Sequence, residues 1–190
     1  MATVAPPDTR ERILRATIEL IGREGVGAVT NRRVATAAGV ALGSLTYHFS
    51  SQVDLMRESL LLFVGEEVAR QEEIAADLRH RRPSIEQVAA EVERIVEESG
   101  SRIQQLAEME LHLQAARDPA LQEASLRCFE AYEKVAAAAL ETFDVPDPDR
   151  HARSVVALMY GMGLRRLGTG SADASGVADG LLTLVRGVAR

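Results

Sequence analysis

Apolar residues recur three or four positions apart over most of the chain, which is the spacing of helices that bury one face. No segment alternates apolar and polar residues over the length of a β-strand. The pattern therefore predicts an all-α protein of about nine helices, three short ones first and then six mostly longer ones.

Capping residues mark the boundaries of the first four helices. Ser51 and Asp54 match a capping box, in which two side chains satisfy each other's free backbone amides. A glycine such as Gly25 is a common helix stop. These residues predict helices from Asp8 or Thr9 to Gly25, from Thr30 to Gly39, from Leu42 to His48 and from Ser51 to about Leu78.

Proline and glycine divide the second half of the chain. Asp118 followed by Pro119 is an N-cap with proline at the first helical position, where the missing N–H does no harm. The triplet Ser99-Gly100-Ser101 is expected to break the chain between two helices. The predicted helices begin at Pro83–Ser84, after the triplet, at Asp118, at about Asp149 and after the link 168–175.

The composition fits a folded protein without metal or disulfides. Hydrophobic residues make up 46% of the 190 positions and charged residues 26%, so the chain can bury a core. Cys128 is the single cysteine, and the four histidines lie on separate predicted segments, so no metal and no cofactor are expected. The longest uncharged stretch, 34–53, is too polar to span a membrane. We expect a cytoplasmic protein with no membrane partner.

Charge is unevenly distributed along the chain. Residues 1–50 carry six arginines against four acidic residues, a net charge of +2, whereas the remainder has sixteen basic and twenty-four acidic residues, a net charge of −8. A basic end on an acidic body indicates that only the N-terminal part meets a polyanion.

Residues 30–49 have the features of a helix-turn-helix. Val34 and Ala35 lie at the inner positions of the first short helix, Gly39 supplies a left-handed turn residue, and Leu45 packs the second helix on the first. Small and polar residues occupy the outward face of the second helix, as close insertion into a DNA groove requires. These outward positions are Leu42, Gly43, Ser44, Thr46 and Tyr47.

The series Thr-Asn-Arg, Ala-Gly-Val, Gly-Ser-Leu and Tyr-His-Phe over 30–49 resembles the DNA-binding domain of the tetracycline-repressor (TetR) family of bacterial regulators. The resemblance implies a helix-turn-helix domain over 1–50 and a ligand-binding and dimerisation domain over 51–190. It implies a homodimeric transcriptional regulator that binds a palindromic operator in double-stranded DNA and is released by a small-molecule effector. A repressor is the first expectation, and an activator fits the same motif.

The same resemblance assigns roles to individual residues. Thr30 and Asn31 would hold a phosphate, and Arg32 would grip guanine in the major groove. Leu42 and Ser44 would touch base edges, and Gly43 would allow close approach. Thr46 belongs to the same face. Tyr47, His48 and Gln52 would lie at the DNA backbone. The family usually has lysine at Gln52, serine at Ala41 and tyrosine at Thr46, so we expect fewer phosphate contacts than usual.

The body offers a candidate effector pocket. Apolar faces of its helices carry flexible thioethers and a few polar tips, which could line an adaptable cavity, although ordinary core packing explains the same residues. Glu108 and Glu110 could meet a cation, so a lipophilic, neutral or weakly cationic effector is expected. The candidate pocket residues are Leu61, Met109, His112, Cys128, Phe129, Tyr132, Met159 and Met162.

The last two helices are candidates for a dimer interface. They combine apolar side chains with glycines, and a symmetric four-helix bundle would bury them. The alternative is a monomer in which both helices pack on their own body. The candidate interface residues are Val156, Tyr160, Gly163, Leu181, Val185 and Val188.

Two other classes of function compete with a regulator. An enzyme is one, but the chain has no Gly-x-Ser-x-Gly, no His-Glu-x-x-His and no phosphate-binding glycine loop, so no catalytic activity is expected. A helical adaptor or small-molecule-binding protein without a DNA role is the other, and the helix-turn-helix disfavours it.

Overall fold

The computed structural model describes residues 8–97, 99–171 and 175–188, and within those segments it contains nine α-helices and no strand. The predicted all-α class is confirmed. The helices are α1 (Thr9–Glu24), α2 (Asn31–Ala38), α3 (Leu42–His48), α4 (Gln52–Arg81), α5 (Ile85–Glu97), α6 (Ser99–Ala115), α7 (Pro119–Thr142), α8 (Pro148–Thr169) and α9 (Ser175–Val188), with a short 3₁₀ turn at Val26–Ala28.

Most predicted caps are present. The Asp8 carboxylate accepts a hydrogen bond of 2.7 Å from the Glu11 amide, and Gly25 ends α1. The Asp118 carboxylate accepts one of 3.0 Å from the Ala120 amide at the start of α7. These helices begin and end where the sequence indicates because each cap satisfies an amide or carbonyl that the helix leaves free.

Two local predictions were wrong in detail. The capping box of α4 is half formed: the Asp54 amide donates to the Ser51 hydroxyl at 3.1 Å, but the Asp54 carboxylate accepts from the Ser50 hydroxyl. Ser50 and then Ser51 hold the pKa of Asp54 below its ordinary value. The triplet at 99–101, where the sequence predicts the break, lies in the first turn of α6. The α5 helix ends at Glu97 and α6 begins at Ser99, and residue 98 lies outside the described residues.

Packing divides the chain into two compact units, one made of Met1–Val64 with Ile103–Gln122 and the other of Gly65–Arg102 with Glu123–Arg190. In the first unit, α1, α2 and α3 pack together. Their shared core is apolar and includes Ile13, Leu14, Leu20, Ile21, Val29, Val34, Leu45 and Phe49. The functional boundary predicted after residue 50 stays a prediction.

In the second unit, α9 packs against α5 and α8. One cluster of buried residues joins these helices to α7 and includes Ala137, Leu140, Val145, Ala152, Val155, Val156, Leu181 and Val185. A smaller cluster holds Ala75, Leu78 and Ala138. None of the helices in the described segments has both the length and the apolar character that a membrane span requires.

The buried face of α4 differs from the one that its apolar residues alone would form. Leu60, Leu61, Val64 and Val68 recur at helical spacing, but Leu61 exposes 42% of its surface. Two polar residues, Glu67 and Gln71, each only 5% exposed, continue the buried positions instead. The apolar pattern was misleading here because polar residues fill part of the buried stripe. The buried positions of α4 are Leu55, Ser59, Leu60, Phe63, Val64, Glu67, Gln71, Ala75 and Leu78.

Candidate functional site

The turn between α2 and α3 is held by glycine and by an arginine from α1. Gly39 has φ 63° in the left-handed region, as predicted. The Arg12 guanidinium donates to the carbonyl oxygens of Ala38 at 2.7 Å and of Gly39 at 3.0 Å. A cation at the C-terminal end of a helix satisfies carbonyls that lack an intrahelical partner. Sequence reasoning missed Arg12, because α1 and α2 meet only in the tertiary structure.

The start of α2 is capped by Thr30, whose hydroxyl accepts a hydrogen bond of 3.3 Å from the Arg33 amide. Thr30 is exposed and Asn31 half-buried. The Oδ1 atom of Asn31 is buried and accepts no hydrogen bond from the described residues. An anion that approaches this helix start would meet free backbone amides and the positive end of the helix dipole.

Arg32 and Arg33 are neighbours with different surroundings. Arg33 forms an ion pair with Glu24, which holds the pKa of Glu24 below and that of Arg33 above its ordinary value. Arg32 is exposed, and no carboxylate in the described part of the chain forms an ion pair with it. Arg32 therefore presents an uncompensated cation on the outer side of α2.

The α3 helix has one buried and one exposed side. Leu45 is 1% exposed and Phe49, which follows the helix, 4% exposed, so both belong to the core. On the other side Leu42 exposes 49% and Tyr47 85% of its surface. The Thr46 hydroxyl donates to the Gly43 carbonyl at 3.1 Å within the helix. Of the other residues predicted to face DNA, Gly43 is exposed and Ser44 and His48 are half-buried.

The side chain of Gln52 is turned toward its own chain. Its amide donates to the backbone carbonyl of Val29, just before α2. The sequence predicted Gln52 at the DNA backbone, but in the structure its donor joins the start of α4 to the start of α2.

Two ion pairs connect α1 to α4 and α4 to the start of α7 within the first unit. The Arg10 guanidinium pairs with Glu58 of α4 and lies 5.6 Å from the centre of the Phe49 ring. Arg57 of α4 donates two hydrogen bonds, of 3.0 and 2.9 Å, to the Asp118 carboxylate that caps α7. The Arg57 contact holds the pKa of Asp118 below its ordinary value.

A buried carboxylate lies in the second unit. Glu67 accepts hydrogen bonds from Arg70, from Gln71 at 2.6 Å and from the Tyr132 hydroxyl. Burial alone raises the pKa of Glu67, but hydrogen bonds from Arg70, Tyr132 and Gln71 outweigh that effect and hold the pKa below its ordinary value. Glu67 is therefore ionised near neutral pH. The sequence signal for Glu67 is its spacing from Leu60, Val64 and Gln71, which places it on the buried side of α4.

Tyr132, whose hydroxyl donates to this carboxylate, belongs to a group of three aromatic rings. The centre of the Tyr160 ring lies 5.1 Å from that of Phe129 and 5.8 Å from that of Tyr132. All three rings are partly buried, as is Met159. Tyr132 joins the aromatic group to Glu67 through its hydroxyl.

The predicted pocket residues are divided between the two units. Leu61, Met109 and His112 belong to the first, where Nε2 of His112 lies 3.9 Å from the Glu108 carboxylate. The other five belong to the second. Cys128 is fully buried, and Met162 touches α9 near Gly180. Within the described residues, no group of acidic, histidine and cysteine side chains could hold a metal ion.

The predicted interface residues are mostly occupied in their own chain. Val156 and Leu181 are 7% exposed and Val185 is 2% exposed, all within the core of the second unit. They leave little surface for a partner, so this part of the interface assignment needs correction. Tyr160 and Gly163 are half-buried, and the side chain of Val188 lies outside the described residues. The exposed face of α8 includes a stripe of Ala157, Gly161, Leu164 and Gly168, and Arg153, Ser154 and Arg165 are exposed beside it.

Two family models match the chain. Residues 13–58 match the family "Bacterial regulatory proteins, tetR family" and residues 83–190 match "Tetracyclin repressor-like, C-terminal domain". A curated relative, the uncharacterized HTH-type transcriptional regulator YerO of Bacillus subtilis (strain 168), is 26% identical over 76 residues. That alignment covers 40% of this chain and about a quarter, 26%, of YerO.

Solved structures resemble the chain over nearly its whole length. A crystal structure of the multidrug binding protein EbrR with imidazole has 32% sequence identity and a TM-score of 0.66, and the match covers 94% of this chain and 96% of EbrR. A TetR-family protein from Streptomyces coelicolor A3 has 31% identity and a TM-score of 0.70, with 94% and 98% coverage. The chain belongs to the TetR family and is a transcriptional regulator of the helix-turn-helix type.

Proposed function

We propose that this regulator binds a palindromic operator as a homodimer, represses transcription from it, and is released by a small, largely apolar effector. Two observations support the DNA-binding part. Arg33 pairs with Glu24 and leaves the charge of Arg32 uncompensated, and α3 has one exposed and one buried side. A helix with small outward side chains can enter the major groove. The proposed site of action is the bacterial cytoplasm, and no catalytic step is involved.

The dimer part follows from the size of the recognition element. One helix-turn-helix contacts too few base pairs for selectivity, whereas two related by a two-fold axis read half-sites about 34 Å apart. The exposed stripe of α8, with its small residues and Leu164 at 59% exposure, is the surface that we assign to the partner subunit. This assignment replaces the buried residues that the sequence suggested.

The effector part rests on the second unit and on a relative. EbrR is a multidrug binding protein, and its structures contain ethidium, proflavin and imidazole. The second unit of this chain has aromatic rings and methionines that are only partly buried, which suits an adaptable site for apolar molecules.

Arg32→Ala is expected to weaken binding to the selected operator by about 1–3 kcal/mol and to relax base preference, because a bidentate guanine contact is worth that much. The operator is first selected from a random pool with the wild type, and affinity is then measured by fluorescence anisotropy on operator and random duplex. Arg33→Ala is the matched control and should leave base preference unchanged. Equal weakening of Arg32→Ala on both duplexes would assign Arg32 to a phosphate.

Gln52→Lys is expected to tighten binding to operator and random DNA alike. The ammonium group adds one phosphate contact at the start of α4, so the slope of log affinity against log salt concentration should steepen by about one unit. Gln52→Glu is the control, because it also loses the amide donor to Val29 but adds the opposite charge. An unchanged salt slope in Gln52→Lys would show that position 52 does not approach the DNA backbone.

A further inference from the structure

The α3 helix has little within itself that holds it in position. It is seven residues long, and an isolated helix of that length is not stable in water. Ala41 stands at its N-cap and has no side-chain oxygen that could accept from the free amides. Among the residues of α3, all of which the structure describes, Leu45 alone is buried. The orientation of α3 therefore depends on groups outside the helix.

Arg12 of α1 holds the turn that leads into α3. One nitrogen of its guanidinium, Nη2, donates to the carbonyl oxygen of Ala38 at 2.7 Å and to that of Gly39 at 3.0 Å. No backbone amide of the described residues donates to either oxygen, so Arg12 satisfies two carbonyls that the end of α2 leaves free. A Cβ on Gly39 would lie 3.4 Å from the same nitrogen. The turn is thus packed directly against this arginine.

Arg10 of α1 contacts the chain at the other end of α3. Its guanidinium lies 5.6 Å from the centre of the ring of Phe49, the residue that ends the helix, and it pairs with Glu58 of α4. Phe49 is 4% exposed, so the cation–π contact acts on a core residue. The ion pair is partly exposed on both sides, and water replaces much of what such a pair gains. We therefore expect Arg10 to contribute less than Arg12.

We propose that Arg12 is a positioning residue for DNA recognition, which sets the orientation of α3 through the turn between α2 and α3, and that Arg10 supports the other end of the helix. The proposal rests on the proposed binding of α3 to operator DNA. Composition counts both residues in the basic N-terminal part that meets a polyanion. In the structure their guanidinium groups contact the protein's own carbonyls, ring and carboxylate instead.

Positioning and phosphate binding by Arg12 predict different losses when its donors are removed. A phosphate contact adds similar affinity on every DNA sequence and about one unit to the salt slope. Contacts to base edges require the side chains of α3 at hydrogen-bonding distance, so they depend on the orientation of the helix. Loss of a positioning residue therefore lowers affinity for the operator far more than affinity for random DNA.

Arg12→Met tests this difference in the full-length protein, because methionine keeps an unbranched apolar stem and lacks the guanidinium donors. The operator is selected from a random pool with the wild type, and fluorescence anisotropy measures affinity for operator and random duplex at several salt concentrations. Operator binding should weaken about tenfold or more, since hydrogen bonds from a charged donor are lost. Affinity for random duplex should change about twofold at most, with the same salt slope. Arg10→Met should show the same pattern with a smaller loss.

Arg23→Met is the matched control on the same helix. Arg23 forms an exposed ion pair with Glu19, one turn earlier on α1. Its substitution removes the same charge without touching the turn or Phe49, so the ratio of operator to random affinity should stay at the wild-type value.

Hydrogen–deuterium exchange of the DNA-free protein measures the stability of α3 in place. A peptide that covers 40–49 should exchange about tenfold faster in Arg12→Met than in the wild type, because local opening of α3 becomes easier. Peptides from α7 and α9 should keep the wild-type rates. This measurement also separates the proposed effect from misfolding, which would accelerate exchange throughout the chain.

Three results would overturn the positioning role of Arg12. Equal weakening on operator and random duplex, with a salt slope smaller by about one unit, would make Arg12 a phosphate contact. Wild-type exchange at 40–49 would show that Arg12 does not hold α3, and faster exchange in all peptides would make its role a general structural one. A wild type that selects no operator would instead refute the proposed function, and the exchange rates at 40–49 would still decide whether Arg12 holds α3.

Discussion

Gly161→Arg is expected to convert the dimer to a folded monomer and to weaken operator binding about 100-fold or more. Gly161 lies on the exposed stripe of α8, and a Cβ there meets no atom within 4 Å, so a single subunit accommodates the new side chain. A pair of subunits would have to bury an arginine without a partner. In a dimer the second helix-turn-helix binds DNA at a high effective concentration, and its loss commonly lowers affinity by a factor of about 10²–10⁴.

Sedimentation equilibrium at micromolar concentration measures the subunit state, and fluorescence anisotropy measures operator affinity. Gly163→Arg is the matched variant, because Gly163 also has open space at its Cβ but lies about 200° around the helix from Gly161. It should remain dimeric. The reverse outcome, in which only Gly163→Arg dissociates, would support the interface suggested by the sequence, and a monomeric wild type would refute the dimer altogether.

Gly22→Ala is expected to lower the free energy of unfolding by about 3 kcal/mol, the upper end of ordinary overpacking. A Cβ on Gly22 would lie 2.5 Å from the carbonyl oxygen of Ile103 and 2.5 Å from its Cγ2 atom. The oxygen belongs to the backbone of α6 and cannot rotate away, so α1 and α6 must separate.

Gly65→Ala is the control for the intrinsic preference of helices for alanine, because it makes the same substitution inside a helix without the clash. Gly65 lies inside α4 with open space at its Cβ, so alanine there should stabilise the protein by about 0.5–1 kcal/mol. Urea denaturation followed by circular dichroism measures both variants. If Gly22→Ala is as stable as the wild type, the close approach of α1 to α6 is not present in solution.

The predicted elements that held are those with local causes. Asp8 and Asp118 cap their helices, Gly39 takes the left-handed turn, and Leu45 is buried. Caps, turns and apolar spacing act over a few residues, so one sequence is enough to locate them. The same locality explains why the helix-turn-helix was recognised and why its exposed face could be listed in advance.

The features that the sequence did not reveal depend on residues far apart in the chain. The Gln52 amide donates to Val29, 23 residues earlier, and Glu67 accepts from Tyr132, 65 residues later. Val156, Leu181 and Val185 are apolar, and an apolar residue can pack against a partner subunit or against its own core. In the second unit all three pack in their own core. Hydrophobicity indicates that a residue is buried, but it does not indicate which part of the protein or which partner covers it.

An all-helical chain with a helix-turn-helix can thus be predicted from the residues alone, because hydrophobic spacing and capping depend on neighbours a few positions away. Which charges are compensated depends on contacts that form only when the chain folds. Arg33 meets Glu24 and leaves Arg32 uncompensated, while Glu67 is buried among Arg70, Gln71 and Tyr132. The physical reason is that the free energy of a charge depends on the groups and the water around it, and folding brings those groups together from distant parts of the chain.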